Sequence, residues 1–274
     1  MRIKSEFEGY RGFIFDLDGT IYLGERLIEG AAEAVRALRA AGKGVVFLSN
    51  KPLERREAYA RKLARLGIPA TEEDVINSAY VLGLYLARSG VGRRVYATGE
   101  PPLLEELRAH GLEVLTEQEA RRGPVDAVIA SFDRTLSYVK LQAAFEALKR
   151  GARFLATNAD RTCPVDGGEL PDAAGVIAFL EATTGRRVEL VAGKPHAMML
   201  SAATARLGLK PQECLMVGDR LETDVVMGVN AGMATAAVLT GVSSREDVAA
   251  FRARHPGAPT YVLESVASLC EPVA

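Results

Sequence analysis

Short apolar runs alternate with amphipathic segments along most of the 274-residue chain. The apolar runs have the length of buried strands and occupy residues 12–15, 45–48, 94–97, 127–130, 153–156, 188–192, 214–217 and 236–239. Helical periodicity fills several of the intervals, at residues 29–41, 55–66, 102–110 and 137–149. This alternation is typical of βα units around a parallel sheet. The pattern therefore predicts an α/β fold.

Polar clusters follow several of the predicted strands. They are Asp16-x-Asp18 after the first run, Ser49-Asn50 after the second, Gly218-Asp219 after residues 214–217, and Gly193-Lys194-Pro195 between residues 188–192 and the next helix. Open parallel sheets bind their ligands at the carboxyl edge of the strands. We therefore expect the four clusters to converge on one site.

The string Asp16-Leu17-Asp18-Gly19-Thr20 is the strongest of these signals. Two carboxylates in one pocket can divide the work of a phosphoryl transfer, one attacking phosphorus and the other handling the proton of the leaving group. Together with a third acid they also suit Mg²⁺, which prefers carboxylate oxygens. Taken alone, the string also fits a turn in which an aspartate caps a helix.

The remaining clusters add chemistry of the same kind. Ser49 and Asn50 offer a hydroxyl and an amide for phosphoryl oxygens, although this pair is common in turns. Lys194 lies at a helix start, where the helix dipole disfavours a cation unless an anion compensates it. Asp219 and Asp224 add two carboxylates, which could instead cap and stabilise the following helix.

In this order, the four clusters resemble the four motifs of the haloacid dehalogenase (HAD) superfamily of phosphohydrolases. The resemblance implies that Asp16 is the nucleophile that forms an aspartyl-phosphate and that Asp18 is the general acid and base. It implies that Ser49 and Lys194 hold the phosphoryl group, with Thr20 and Asn50 beside it as further substrate-binding residues.

The same resemblance implies an Mg²⁺ cofactor. Its ligands would be Asp16, Asp219 and the main-chain carbonyl of Asp18, and Asp224 would orient Lys194 and the waters of the metal. A crowd of carboxylates agrees with this assignment, because it is tolerable only beside cations, and the same cations neutralise charge in phosphoryl transfer.

The spacing of the clusters predicts the domain organisation. Asp16 and Ser49 are 33 positions apart, whereas Ser49 and Lys194 are 145 apart, far more than one βα crossover needs. An inserted cap must therefore lie in the second gap. This resembles the C2-type arrangement of HAD subfamily IIA, which includes 4-nitrophenylphosphatases and sugar phosphatases. We expect a Rossmann-like parallel-sheet HAD core of residues 1–77 and 187–274, with an α/β C2-type cap at residues 78–186.

Four further strings resemble the same subfamily. They are Ile28-Glu29-Gly30-Ala31, Phe47-Leu48-Ser49-Asn50, Ala156-Thr157-Asn158-Ala159-Asp160 and Leu239-Thr240-Gly241-Val242. In the third string, Asn158 and Asp160, with the neighbouring Arg161, follow a strand of the predicted cap and could bind a sugar hydroxyl or a second anion. A solvated turn explains these three residues equally well.

The balanced charge of the chain argues against nucleic acid and membrane surfaces as binding partners. Lys and Arg number 34 against 35 Asp and Glu, so the formal net charge of -1 leaves no basic surplus for nucleic acid or a membrane surface. No apolar run approaches the ~18 residues of a membrane span, and residues 1–11 lack the apolar core of a secretory signal. We predict a cytoplasmic protein that binds a small phosphorylated metabolite, and the family resemblance suggests a homodimer through the cap.

The main hypothesis is an Mg²⁺-dependent phosphatase of small phosphomonoesters, with sugar phosphates as the preferred class. A phosphomutase uses the same nucleophile and is the nearest alternative, although the bacterial type resembles proteins with a cap in the first gap. A phosphate-metabolite sensor without catalysis is the alternative from another class, and the presence of every motif residue argues against it. Asp18 disfavours a dehalogenase, because alkyl-halide members lack this second acid.

Overall fold

The computed structural model describes residues 1–165 and 167–272, which pack into two compact units. Unit 1 comprises residues 1–49, 56–76 and 194–274, and unit 2 comprises residues 50–55 and 77–193. Both units mix helices with a parallel sheet, and the predicted α/β fold is confirmed.

The strands, in chain order, are β1 (Arg2–Ile3), β2 (Gly12–Asp16), β3 (Tyr22–Leu23), β4 (Arg26–Leu27), β5 (Gly44–Ser49), β6 (Val75–Asn77), β7 (Arg94–Thr98), β8 (Glu113–Val114), β9 (Ala127–Ala130), β10 (Arg153–Ala156), β11 (Thr162–Val165), β12 (Gly168–Pro171), β13 (Leu190–Val191), β14 (Cys214–Gly218), β15 (Ala234–Val238), β16 (Tyr261–Leu263) and β17 (Cys270–Glu271). The α-helices are α1 (Ala31–Ala40), α2 (Arg56–Arg65), α3 (Ser78–Arg88), α4 (Pro101–Ala109), α5 (Glu117–Arg122), α6 (Tyr138–Lys149), α7 (Ala173–Thr184), α8 (Ala197–Leu207), α9 (Val226–Asn230) and α10 (Arg245–Arg254).

The main sheet of unit 1 has the strand order β16-β15-β14-β2-β5-β6. Strands β2, β5, β14, β15 and β16 pair in parallel. Every residue of β2 and β14 is buried, which explains why both read as continuous apolar runs rather than as alternating ones. Strands β2 and β14 therefore occupy the centre of the sheet, next to each other.

An aromatic stack forms part of the unit 1 core. Phe13 and Phe15 of β2 lie with ring centroids 6.3 Å apart, and Phe15 lies 6.1 Å from Phe47 of β5. Helices α1 and α2 cover this face with Val35, Leu38 and Leu63, among others. Burying each ring contributes roughly 2 to 3 kcal/mol. This packing holds β2 and β5 in fixed register.

The sheet of unit 2 has the strand order β13-β10-β9-β7-β8, with parallel pairing throughout. The predicted cap ends at residue 186, which would leave residues 188–192 to the core. In the structure β13 still pairs with β10 in unit 2, Leu190 opposite Leu155, and the chain enters unit 1 at Lys194.

Helix α3 is not predicted from the sequence. It is capped by Asn77, whose side chain accepts a hydrogen bond from the N–H of Tyr80 at 2.9 Å. Six of its eleven residues are buried, and Arg88 is the one charged residue in the helix. An apolar helix of this kind lacks the polar face that makes helical periodicity visible.

Exposed apolar side chains occur on unit 2. Tyr138, Val139 and Phe179 are exposed on α6 and α7, and Leu136 is exposed just before α6. The sequence does not distinguish these exposed apolar residues from the buried residues of α6, which are Ala143, Ala144, Ala147 and Leu148. In the described part of the chain, no helix is long and apolar enough to cross a membrane.

Candidate active site

The register of unit 1 brings three of the predicted polar clusters to the same edge of the sheet. Asp16 of β2 lies opposite Leu48 of β5, so Ser49 follows directly beside it. On the other side, Phe15 lies opposite Val217 of β14, so Gly218 and Asp219 leave the sheet next to Asp16. Parallel pairing of three neighbouring strands therefore places these residues at one carboxyl edge.

Lys194 joins this edge from the loop before α8. Its ammonium donates hydrogen bonds to Oδ1 of Asp16 and, at 2.7 Å, to Oδ1 of Asp224. The lysine is only 5% exposed. Residues separated by 178 positions thus meet in a buried ion pair, and charge-assisted hydrogen bonds of this kind are among the strongest in proteins.

Asp224 is positioned by a π-helical turn, Leu221–Val225, that precedes α9. The main-chain N–H of Arg220 donates to its Oδ2 at 3.1 Å, while Lys194 occupies Oδ1. Both oxygens of this fully buried carboxylate are therefore engaged within the protein. The π-turn makes this possible, because it returns the side chain toward the strand end. Such turns are frequent at functional sites.

Asp219 presents a different arrangement. Its Oδ2 accepts a hydrogen bond from the N–H of Val242 at 2.8 Å. Its Oδ1 is buried and has no hydrogen-bond partner among the residues that the structure describes. Asp16, Asp219 and Asp224 each offer a carboxylate oxygen, and these oxygens lie within 4.8 Å of one another.

The electrostatics of the cluster are unbalanced without a further cation. Burial raises the pKa of Asp16 well above its ordinary value, the ammonium of Lys194 opposes this, and the nearby Asp224 and Asp219 raise it further. Burial and the charge of Asp224 also raise the pKa of Asp219. Burial alone would lower the pKa of Lys194, but the attraction of Asp16 and Asp224 outweighs it and the pKa is raised. Three carboxylates thus share one ammonium.

This donor set fits a divalent cation. An unpartnered buried carboxylate oxygen costs free energy, and a cluster of carboxylate oxygens is the kind of ligand set that Mg²⁺ takes. Both oxygens of Asp224 are already hydrogen-bonded, so Asp16 and Asp219 are the better candidates for direct ligands. These observations match the chemistry of the predicted metal site.

The turn after β2 holds the next predicted residues. The carbonyl of Leu17 accepts hydrogen bonds from the N–H groups of Ile21, at 2.9 Å, and Tyr22, at 3.2 Å. Asp18 is half-buried in this turn. The hydroxyl of Thr20 is buried without a hydrogen-bond partner in residues 1–165 and 167–272, so an oxygen of a bound ligand would satisfy it.

Ser49 is buried at the end of β5, and its Oγ lies 3.5 Å from the hydroxyl of Tyr59 on α2. The sequence did not indicate Tyr59, since a tyrosine on an amphipathic helix is ordinarily a core residue. In the structure the ring of Tyr59 does pack in the core, and its hydroxyl also reaches Ser49 at the end of β5.

Comparisons with known proteins agree with this geometry. A family profile described as haloacid dehalogenase-like hydrolase matches residues 13–113, and a second, HAD-hydrolase-like, matches residues 191–269. The sugar-phosphatase AraL of Bacillus subtilis is 38% identical over 255 residues, which cover 93% of this chain and 90% of AraL. The chain belongs to the haloacid dehalogenase-like hydrolases. The predicted resemblance is confirmed.

Solved structures of HAD-like hydrolases extend the match to the fold. A 4-nitrophenylphosphatase of Thermotoga maritima superposes with a TM-score of 0.88 at 32% identity, covering 98% of this chain and 99% of that one. A glycerol phosphate phosphatase of Mycobacterium tuberculosis, solved in complex with magnesium, gives 0.86 at 32% identity, with 98% and 79% coverage. The predictions of subfamily IIA and of a phosphoric monoester hydrolase are likewise confirmed.

Three of the predicted substrate-binding residues of this HAD-like hydrolase are bonded to one another inside unit 2. Asp160 Oδ2 accepts from the side-chain amides of Asn50 and Asn158, each at 2.8 Å. Asn158 also donates to Asp172 at 3.0 Å, and Asp172 caps α7. These contacts stabilise the loop after β10. They do not test the predicted contact with substrate.

Arg161, the fourth residue of this group, is exposed. Only its main-chain carbonyl is used in the loop, where it accepts from the N–H of Asp172 at 3.0 Å. The predicted binding role of its guanidinium stays a prediction.

We expect Asn158→Ala to lower the free energy of unfolding by about 2 kcal/mol, because it removes donors to two carboxylates, and an acceptor for Thr157, from a residue only 1% exposed. Arg161→Ala is the matched control, with an expected change below about 0.5 kcal/mol. Urea unfolding followed by circular dichroism measures both. Equal stabilities of the two variants would contradict the structural role of Asn158.

Proposed function

We propose that this HAD-like hydrolase is an Mg²⁺-dependent phosphatase of small phosphomonoesters, sugar phosphates foremost, that works through an aspartyl-phosphate on Asp16. The observation that carries the proposal is the buried contact of Lys194 with Asp16 and Asp224, beside the unpartnered oxygen of Asp219. A carboxylate nucleophile and neighbouring cationic groups are what phosphoryl transfer requires.

In the first half of the proposed reaction, a carboxylate oxygen of Asp16 attacks phosphorus. A bond between this oxygen and phosphorus forms, the ester P–O bond breaks, and Asp18 gives its proton to the leaving oxygen. In the second half, Asp18 takes a proton from water, whose oxygen attacks the phosphorus of the aspartyl-phosphate. The bond between phosphorus and the Asp16 oxygen breaks, inorganic phosphate leaves, and the carboxylate of Asp16 is restored.

Neighbouring residues hold the phosphoryl group during both halves. Lys194 is the fixed positive charge, and the hydroxyls of Ser49 and Thr20 are buried donors at the same edge of unit 1. Such preorganised donors stabilise the charge on the phosphoryl oxygens without having to reorient. Asp224 holds Lys194 in place through its short hydrogen bond.

Asp16, Asp219 and the main-chain carbonyl of Asp18 would hold the Mg²⁺. When bound, the ion neutralises negative charge on the phosphoryl oxygens. The unpartnered Oδ1 of Asp219 supports this assignment most directly, because a cation would satisfy an oxygen for which the described protein offers nothing.

Asp16→Asn is expected to lower kcat on 4-nitrophenyl phosphate by roughly 10⁴-fold or more, because an amide oxygen is a poor nucleophile. Its thermal midpoint should stay close to that of the wild type, because Lys194 keeps its buried ion pair with Asp224. Asp247→Asn, on an exposed cap of α10, is the control and should leave kcat unchanged. Steady-state kinetics and thermal unfolding measure both effects, and wild-type turnover by Asp16→Asn would refute the nucleophile.

Removing divalent metal with EDTA is expected to abolish turnover, and Mg²⁺ in the millimolar range should restore it. The metal should also raise the thermal midpoint, by an amount equivalent to about 2.7 kcal/mol at 100 times the dissociation constant. In Asp219→Asn this increment should shrink, because one charged ligand is lost. Full activity in EDTA would overturn the metal assignment.

The substrate class is supported by relatives rather than by contacts. AraL is a sugar-phosphatase by name, and the mycobacterial neighbour is a glycerol phosphate phosphatase. We propose that unit 2 is the C2-type cap and selects the substrate, since unit 1 supplies groups for the phosphoryl end alone. The predicted cap boundaries, residues 78–186, fall within the main segment of unit 2, residues 77–193, and stay a prediction.

Phosphate release from a panel of sugar phosphates, glycerol phosphate, pyridoxal phosphate and nucleotides tests the substrate class. We expect the highest kcat/KM among the sugar phosphates, because AraL, which is similar over 93% of this chain, is a sugar-phosphatase by name. Glucose 6-phosphate separates the alternatives: free phosphate indicates a phosphatase, isomerised ester a phosphomutase, and binding without metal-dependent turnover a sensor.

A homodimer through unit 2 is also part of the proposal. It is supported by the exposed apolar side chains of Tyr138, Val139 and Phe179, because solvent-exposed apolar patches often mark interfaces. Sizing chromatography measures the oligomeric state. The cytoplasmic location stays a prediction from the sequence.

A further inference from the structure

The loop after β15 contains the string Leu239-Thr240-Gly241-Val242, to which the proposed reaction assigns no role. In the structure this loop contacts Asp219 at two points. The N–H of Val242 donates to Asp219 Oδ2 at 2.8 Å, and the N–H of Ser243 donates to the main-chain carbonyl of Asp219 at 3.2 Å. The loop thus fixes both the backbone and one side-chain oxygen of this residue.

Glycines surround the bonded oxygen of Asp219. A Cβ added at Gly241 would lie 2.0 Å from Asp219 Oδ2, and one added at Gly19, whose φ is +85°, would lie 2.4 Å from it. Neither distance is sterically allowed, so the carboxylate occupies space that any other residue type at these two positions would fill. The absence of a side chain at Gly19 and at Gly241 therefore leaves the space that Oδ2 occupies.

Thr240 connects this loop to the turn after β2. Its hydroxyl donates a hydrogen bond to the carbonyl of Gly19 at 2.6 Å. Gly19 lies between Asp18 and Thr20, and its N–H donates to the carbonyl of Tyr22 at 2.8 Å. The hydroxyl therefore ties the Asp16–Thr20 segment to the loop that holds Asp219.

The result is an asymmetric carboxylate. Oδ2 of Asp219 is bonded and enclosed, whereas Oδ1 is buried with no partner in the described chain. A carboxylate free to rotate would exchange its two oxygens, and its unbonded oxygen would have no fixed direction. Preorganising a ligand in this way raises affinity, because less conformational freedom is lost on binding.

We infer that the loop 240–243 is a positioning element of the metal centre, and that Thr240 sets the affinity for Mg²⁺ without contacting the ion. The inference rests on the proposed function, because it assumes that Asp219 Oδ1 is a metal ligand. Thr240 acts through the Gly19 carbonyl, and Gly241 acts by leaving room for Asp219.

Thr240→Val tests the inference, because valine keeps the shape of threonine and removes only the hydroxyl. Its dissociation constant for Mg²⁺, measured by isothermal titration calorimetry without substrate, should rise about fivefold to tenfold, the effect of one lost hydrogen bond. Thr240→Ser keeps the donor and should stay within about twofold of wild type. At saturating Mg²⁺, kcat and the KM for 4-nitrophenyl phosphate of Thr240→Val should approach the wild-type values.

Gly241→Ala provides a second variant with a larger effect. The added methyl group must displace Asp219, so Mg²⁺ affinity should fall by about 100-fold or more. If this variant does not fold, the threonine pair still decides the question. A role in folding alone would lower the thermal midpoint of metal-free Thr240→Val and leave its Mg²⁺ dissociation constant unchanged.

The outcomes separate the inference from the proposed function. Wild-type Mg²⁺ affinity in Thr240→Val, or equal weakening in Thr240→Ser, would overturn the role of Thr240 while leaving the phosphatase proposal intact. Absence of Mg²⁺ binding by the wild-type protein would overturn both. Weakened binding in Thr240→Val with recovery in Thr240→Ser supports the inference.

Discussion

The buried ammonium of Lys194 is the interaction on which the site depends. It bridges Asp16 and Asp224, two carboxylates from distant parts of the chain, at a position where each charge alone would be costly. One ammonium cannot balance Asp219 as well, so the folded chain retains surplus negative charge. This imbalance favours a bound cation, as the proposed function requires. A metal ion and then a phosphoryl group would complete the charges.

Both units have aspartates near strand ends or helix starts, but the hydrogen bonding of these aspartates differs between the units. In unit 1, Asp219 is held so that one oxygen has no partner in the described protein. In unit 2, Asp160 and Asp172 also follow strands or precede a helix, but amide donors and a helix cap satisfy them internally. A polar cluster at a strand end is therefore not evidence of a ligand by itself. The two clusters differ in their hydrogen bonds: Asp219 Oδ1 has no partner among the described residues, whereas Asp160 Oδ2 accepts from two amides.

The sequence predicts much of the fold because the strands of central sheets are continuous apolar runs, and β2, β5, β9, β10 and β14 all have this form. It also predicts that Asp16, Lys194, Asp219 and Asp224 meet, because each follows or flanks such a run. It misses α3, in which Arg88 is the one charged residue, and the pairing of β13 with unit 2, which depends on a two-residue strand.

Hydrogen-bond partners within the site are the part that sequence does not reveal. Asp219 accepts a hydrogen bond from the main-chain N–H of Val242. Every non-proline residue carries this donor, so the type of residue at position 242 does not reveal the contact. In the sequence, Tyr59 is typical of a core residue on an amphipathic helix. The folded structure shows that its hydroxyl reaches Ser49. The string Thr240-Gly241-Val242 is visible in the sequence, yet its connection to Gly19 requires the folded chain.

The discontinuity of unit 1 has a consequence for how the protein is made. Synthesis proceeds from the N-terminus, so Asp16 emerges long before Lys194, Asp219 and Asp224, and β2 waits for its neighbour β14. Unit 2, whose main segment spans residues 77–193, can fold in the interval, since domains fold as units during translation. The nucleophile candidate therefore acquires its counter-ion only when the last third of the chain arrives. A nascent chain stalled before residue 194 would contain Asp16 and Asp18 but would lack Lys194, Asp219 and Asp224.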